Sequence, residues 1–476
     1  MTSVAVVGGG IAGLSAAWEL ARAGAQVELY EAAAQTGGAV VPVQLAGLSV
    51  DAGAEAFATR SSAVADLITD LGLAERIVSP HPAGAWLQLP RMAAPLPATG
   101  VLGVPGDPQA EDVVAILGAE ASDRAAEDFS APMTWTAEQA AEQQPSLGEV
   151  VRDRMGEPVV EQLVSPITSG VHSAAPDDLA ISAAHPQLYE TMLRHGSLAR
   201  AVAELKAAAP AGSAVQSMQG GMNTLTAHLQ SQLQQAGGAL RLNTEAADLR
   251  HLQAEHIVLA VDEQQAVRLA SPYLQAAGNV PYELASPASP SGVALVTLLV
   301  RAPELDGFPR GTGMLVAPTV EHIGAKAMTH ISAKWQWVSD ALQQKLGPGH
   351  HLLRLSYGRV TDEPGAGVLG FHSSDAQLLE AASRDVPALT GVRIGSEQIL
   401  DTAVVRWKSA LAAASAEHRE RAAQFRRALA AQREEAGQRA EAGPQLWAVG
   451  AWLAGTGLSQ VIPHARQTAA AILARD

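Results

Sequence analysis

The chain has 476 residues, enough for two or three domains with substantial cores. Its net charge of −16 argues against a nucleic-acid-binding surface, and an anionic substrate would need a local cationic pocket. The absence of cysteine excludes disulfides, iron–sulfur clusters, thiolate catalysis and cysteinyl-linked flavin; the fourteen histidines show no ligand-like spacing, His350 and His351 being adjacent, so no metal is expected.

The first element is VAVV (4–7), an apolar run suited to a strand buried on both faces. Gly8, Gly10 and Gly13 follow as G-x-G-x-x-G and open a helix with Ile11, Leu14, Trp18 and Leu20 on roughly one side. In that pattern Gly8 permits the tight turn, Gly10 admits a pyrophosphate to the backbone and Gly13 lets helix and strand pack closely. The free N–H groups of the helix start favour phosphate. Gly24 ends the helix, and the strand QVELYE ends at Glu31, whose carboxylate can accept both hydroxyls of an adenosine ribose. A signal or membrane segment is the competing reading; it lacks a basic start, and glycines interrupt the apolar run. A soluble cytoplasmic protein without stable membrane insertion is expected.

Gly37 and Gly38 lie in the loop beyond the second strand, where the longer FAD, unlike NAD, would run its ribityl chain. In GLSVDAGAEAFATR (47–60), Asp51, Gly53, Ala54 and Glu55 fall on a strand-to-turn stretch, where small residues would leave backbone N–H groups facing a flavin ring. Residues 108–210 carry helical stripes, among them Leu147, Val150, Val151, Val159, Val160, Leu163 and Val164, all read as core. Segment 219–249 gives a glycine entry, an amphipathic helix and a strand, and EHIVLAV (255–261) another buried strand. Between 290 and 385, SGVALVTLLVRA, GTGMLVAP and HHLLRLSYGR alternate as antiparallel strands do, and Trp335 and Trp337 are assigned to that sheet. Residues 409–442 read as a charged helix with a solvated polar face. The final segment, 445–473, is a strand, a turn with Gly450, Gly455 and Gly457, and a closing helix. It is either an ordinary βα unit or the helix whose N-terminus serves a flavin ring; with Gly37 and Gly38, FAD is favoured over NAD.

The expected fold class is therefore α/β (mixed α+β). An FAD-binding, Rossmann-like domain is assembled from 1–60, 213–285 and 385–476. An antiparallel-sheet substrate domain takes 61–107 and 286–384, and a helical domain 108–212.

With these motifs set out, the chain resembles bacterial protoporphyrinogen/coproporphyrinogen oxidases, FAD enzymes of haem synthesis in the amine oxidase-like flavoprotein group. LVSPITSGVHSAAPDDLAISAAHPQL (163–188) carries the resemblance most specifically. AGAEAFATR, PLPATGVLGVP, HGSLARAV, QGGMNTL, KAMTHISAKW, VVRWKSAL and GTGLSQVI extend it over nearly the whole chain. The resemblance implies oxygen-dependent oxidation of a porphyrinogen to a porphyrin with release of hydrogen peroxide. Coproporphyrinogen III is the preferred substrate and protoporphyrinogen IX the alternative. An amine oxidase or carotenoid desaturase-like enzyme, or a degenerate FAD- or porphyrin-binding partner protein, are further alternatives. It also implies Ile11, Ala12, Ala246, Leu458 and Val461 beside the cofactor, and contact with the next enzyme of the pathway. Trp407 is placed either at the isoalloxazine edge or in ordinary core. No catalytic acid or base is named. Substrate contacts are assigned to Arg60, Gly170, Lys326 and Lys334, with Arg91, Arg354 and Arg359 as further cations; for any single cation a structural ion pair or plain solvation is the stronger reading. Ala412 and Ala413 replace an expected proline region and Ala465 an expected glycine.

Overall fold

Five short parallel strands bring the two ends of the chain side by side. In the computed structural model they run in the order Ala239–Arg241, Gln26–Tyr30, Ser3–Val7, His256–Leu259 and Gln445–Ala448. The structure describes residues 2–475 apart from 99, 143–144, 173, 186, 209–213, 277–291, 360–367, 409–415 and 439–442; Ala412 and Ala413 lie outside the described residues. Val4 and Val6 join the core on one face of this sheet, Ala5 and Val7 that on the other, which is why VAVV carries no alternation. On the first face, helix Ile11–Arg22 packs against both Leu458–Leu473 and Asn223–Gln235. Every residue from Ala12 to Ala21 is consequently buried, Ser15 and Glu19 included, rather than one apolar side only. On the second face lies the charged helix Ala416–Gln438, which places Ala422, Phe425 and Leu429 in the core.

A seven-stranded sheet runs Ile399–Lys408, Gly292–Arg301, His350–Tyr357, Ala327–His330, Gly313–Val316, Ala85–Gln88 and Ala93–Pro95. All pairs are antiparallel except Gly313–Val316 with Ala85–Gln88. Three segments differ from the sequence expectation. Ile399–Lys408, grouped above with the cofactor-binding segments, pairs along its length with Gly292–Arg301 and belongs to this sheet. Helix Asp375–Thr390 packs behind the same sheet through Leu378, Val386 and Leu389. Helix Ala63–Asp70, grouped above with the substrate sheet, instead buries Val64, Leu67 and Ile68 in the core of the five-stranded sheet's helices. Trp335 and Trp337 are not sheet residues: the first caps helix Ile331–Lys334 and the second lies in Gln336–Leu346. Trp335 covers the sheet's near face beside Leu299 and Leu352.

The far face of the sheet shares one core with the helices of 111–208, where all seven residues of the predicted stripes are buried. The run 157–172 is helical throughout, with π-helical stretches at Val160–Val164 and Thr168–His172. This layer is stapled by a buried ion pair. Arg154 Nε donates to Asp128 Oδ1 at 2.6 Å, and the rest of its guanidinium meets the carbonyls of Asp128, Pro132 and Gly196. Asp128 in turn accepts from Ser197 Oγ and the backbone N–H groups of Leu198 and Ala199, capping helix Leu198–Ala208. Removing one partner strands the other charge without solvent. Asp128→Ala is expected to lower unfolding free energy by about 3–5 kcal/mol in a denaturant titration.

Candidate functional site

The glycines of the first turn differ in what surrounds them. A Cβ on Gly13 would lie 1.9 Å from Gly8 O, and one on Gly8 2.4 Å from Ala260 O; both glycines allow helix and strands to touch. Gly10, at φ −69°, has room for a Cβ, which would make only an ordinary contact with Gly38 Cα at 3.9 Å. No side chain caps this helix, and no acid stands in its first turn, so the N–H groups beginning at Ile11 and Ala12 present an uncompensated positive end. Gly37 N–H donates to Gly9 O at 2.8 Å, bringing the second glycine pair against the first. Thr36 Oγ1 bonds Gln230, and Thr226 Oγ1 bonds Val40 O, tying that loop to helix Asn223–Gln235.

Glu31 closes the same cradle. Its Oε2 accepts Gly9 N–H and its Oε1 accepts Ala33 N–H, both at 2.7 Å, fixing the carboxylate at the end of the second strand. Thr244 N–H bonds Glu31 O, so the stretch leading to the half-buried Ala246 runs beside it. At the other end of the chain, Gly450 opens the single turn Ala451–Ala454 and Gly457, at φ +108°, opens helix Leu458–Leu473. That helix also lacks a side-chain cap, and Leu458 and Val461 are buried against helix Ile11–Arg22. Ala465 is wholly buried in the same core, so its methyl group is accommodated there. Two uncapped helix starts, a glycine-lined approach and a fixed carboxylate fit a dinucleotide.

The stretch 51–55 does something the sequence did not suggest. Asp51 accepts Met222 N–H, Asn223 N–H and Asn223 Nδ2 at 2.9–3.0 Å and so caps helix Asn223–Gln235. Burial pushes the Asp51 carboxyl above its ordinary range, and the bonds from Asn223 and Met222 work against that rise. The N–H groups of Ala52 and Ala54 donate to Val41 O and Ala39 O instead of facing outward. Gly53 is glycine because a Cβ would lie 2.5 Å from Ala39 O and 3.0 Å from Trp407 Nε1. Trp407 Nε1 donates to Ala52 O at 3.1 Å, so this half-buried indole braces the turn. Glu55 joins two cations, with Lys334 Nζ at 2.6 Å and Arg354 Nη2 at 2.5 Å, while Arg354 Nη1 reaches Asp51 O and Gly53 O. Burial alone would raise the Glu55 carboxyl; Arg354 and then Lys334 hold it below its ordinary value.

Opposite this turn the sheet presents one open row. Val405, Leu295, Ser356, Ala327 and Leu315 are successive cross-strand partners. Each is half-buried, whereas Val296, Leu355, Tyr357, Met328 and Met314, on the alternate face, are buried. Gly170, in the π-helical stretch, lies over the end of that row: a Cβ there would be 2.6 Å from Leu315 Cδ2. The assigned cations divide. Arg60 is exposed near His185, whose imidazole is lowered by burial and then by the Arg60 charge. Arg91 is exposed as well. Arg359 Nε donates to Ser169 Oγ at 2.7 Å. Lys326 is 1% exposed and so withdrawn from the cleft, and Lys334 and Arg354 are held by Glu55. His351 contacts His330 and Asp306, and among the described residues no group of three or more candidate ligands is arranged to hold a metal. No helix among the described residues is long and apolar enough to cross a membrane.

A glycine-lined cradle built from both chain ends, in a chain that also carries a seven-stranded sheet, is the arrangement of a flavoprotein oxidoreductase. The chain belongs to the flavin containing amine oxidoreductase family, whose model matches residues 11–273. It is 28% identical to the coproporphyrinogen III oxidase of Mycobacterium tuberculosis (strain H37Rv), over 99% of this chain and 97% of that one. The Bacillus subtilis (strain 168) coproporphyrinogen III oxidase is 26% identical over 97% and 96%. In fold, it is similar to a protein from Exiguobacterium sp. 255-15, provisionally assigned as a protoporphyrinogen oxidase, at a TM-score of 0.78 and 24% identity over 100% of this chain and 99% of that one. Reduced UDP-galactopyranose mutase shares the fold at a TM-score of 0.68 and 12% identity, over 100% and 94%.

Two outcomes follow for the cradle and the turn. Gly10→Val should fold like the parent by thermal melting yet bind flavin about tenfold or more weakly in a fluorescence titration, a loss of roughly 1.4 kcal/mol; Gly13→Ala should lose stability outright. For Glu55, the folded carboxyl titrates below its ordinary value of 4.5, so its stabilising contribution is present above that pH and disappears as pH falls through the lowered folded value. The stability difference between the parent and Glu55→Gln should therefore be full at pH 7 and shrink in acid, as denaturant titrations along a pH series would record.

Proposed function

We propose that this protein binds FAD and oxidises a porphyrinogen to the porphyrin, coproporphyrinogen III in preference to protoporphyrinogen IX, with molecular oxygen as acceptor and hydrogen peroxide as product. The observation that carries the reading is the half-buried row Val405, Leu295, Ser356, Ala327 and Leu315, on the sheet face that Arg354 and Trp407 tie to the 51–55 turn. It offers a flat, mostly apolar floor with one hydroxyl and no ionisable group, which suits a macrocyclic disc. Full-length similarity to coproporphyrinogen III oxidases supports the same substrate class.

FAD rather than a smaller flavin is supported by Glu31, which would accept the ribose hydroxyls, by Ile11 and Ala12 at the pyrophosphate, and by Gly37 and Gly38 along the connecting chain. Bound FAD supplies two-electron oxidation; aromatisation of the macrocycle supplies the driving force. The protein's part is to hold one edge of the disc in register and to keep water from the floor. Substrate propionates require cations that the substrate can reach. The exposed Arg60 answers that description better than the buried Lys326 or the Glu55-bound pair, and Gly170 lets the helix descend onto the end of the floor.

Purified protein should be yellow, and aerobic coproporphyrinogen III should yield porphyrin fluorescence faster than protoporphyrinogen IX does. Arg60→Ala should raise KM for the tetrapropionate substrate, by a factor corresponding to about 1.5–3 kcal/mol per lost contact, with little change in kcat. A colourless protein that takes up no added FAD, or one that holds FAD and produces no porphyrin from either substrate, would overturn the proposal.

A further inference from the structure

Glu55, Lys334 and Arg354 form a buried triad of one carboxylate and two cations, reaching from the 51–55 turn to the sheet. Lys334 ends the short helix Ile331–Lys334, and Arg354 lies in strand His350–Tyr357, two residues from Ser356 of the floor and on the same face. The side chains are between 10% and 21% exposed, so solvent screens them little. Arg354 Nη1 also bonds Asp51 O and Gly53 O, so the guanidinium fixes the turn itself. Counted together, the triad carries one positive charge in excess. Asp51 is the nearest further acid on the turn, and it is turned toward the N-terminus of helix Asn223–Gln235. For a structural brace, one carboxylate and one cation would suffice. The second cation is the feature that calls for a function.

We propose that the Glu55–Lys334–Arg354 triad is a positioning device for the flavin, and that its surplus positive charge raises the reduction potential of the flavin held at the turn. The proposal rests on the flavin reading above and adds the residues that set its electronics. Two-electron reduction places negative charge on the isoalloxazine, and fixed positive charge nearby in a poorly solvated site favours that form. Lys334 supplies the surplus; Arg354 supplies the geometry; Glu55 keeps both from repelling one another.

The test is a spectroelectrochemical titration of the FAD-loaded full chain, with thermal melting and flavin content measured alongside. Lys334→Met removes the surplus charge while Arg354 still holds Glu55, so the midpoint potential should fall. Glu55→Gln doubles the surplus, so it should rise. Arg354→Lys conserves charge and loses the bonds to Asp51 O and Gly53 O; its potential should stay near the parent's while flavin binds several-fold more weakly. Shifts of Lys334→Met and Glu55→Gln in the same direction, or no shift in either, would sink the proposal and leave a plain structural brace. Should Glu55→Gln fail to fold, Lys334→Met against Arg354→Lys decides: equal potentials in the two overturn the charge assignment. Failure of the parent chain to bind FAD is a separate result, which strikes the functional reading and not the triad's charge balance.

Discussion

The site depends on one packing constraint: helix Ile11–Arg22 is buried on every side. Its enclosure from Ala12 to Ala21 by the first strand and by helices Leu458–Leu473 and Asn223–Gln235 closes its flanks and leaves its two ends available, the N-terminus at the glycine turn. Gly8 and Gly13 make that enclosure sterically feasible, since either Cβ would collide with a backbone carbonyl. A helix held this way and left without a cap keeps its first N–H groups aimed at one place. That is the physical content of an anion cradle. It also explains why the C-terminal segment must return to the N-terminal one: Leu458, Val461 and Ala465 complete the wall that excludes water from the helix.

A contrast within the molecule sharpens this. Helix Asn223–Gln235 starts after two positive-φ glycines, as the first helix starts after glycines, yet its N–H groups are taken by Asp51. Helix Leu198–Ala208 is capped by Asp128. Internal carboxylates silence these helix starts, whereas those of Ile11–Arg22 and Leu458–Leu473 have neither a side-chain cap nor an acid in the first turn.

Much of this was legible in the sequence. The G-x-G-x-x-G spacing followed by Glu31 and the apolar strand-length runs, those at 292–301 and 350–357 included, mark the strands because composition and spacing are local properties; the expected alternation at 292–301 is not there, since that strand is buried almost end to end. What was not legible depends on contacts distant in the chain. Ile399–Lys408 alternates like any edge strand, and nothing local says that its partner is Gly292–Arg301. Trp335 and Trp337 are two apart, as on a strand, but a helix boundary falls between them. Asp51 and Glu55 are four apart in one motif. Their separate duties, one capping a helix 171 residues away and the other gripping a strand 299 residues away, leave no trace in spacing. Ala412 and Ala413 lie outside the described residues, so their departure from the family pattern has no structural counterpart here.

The sheet's two faces carry different burdens, and the division constrains the chemistry. The far face is committed to a core that takes in helix Asp375–Thr390, so any change there is felt as stability. The near face is free in one cross-strand row, bounded at one end by Gly170 and flanked by the charged triad at Arg354. Charge is thus kept at the margin while the floor itself stays apolar. For oxidation of a neutral macrocycle this is the favourable order: a disc can lie flat without desolvating an ion, and its anionic substituents meet cations only at the rim. A floor with a buried base would pull the substrate toward proton chemistry; on the proposed reading, this one would leave bond breaking to the cofactor and confine the protein's own contribution to position and field.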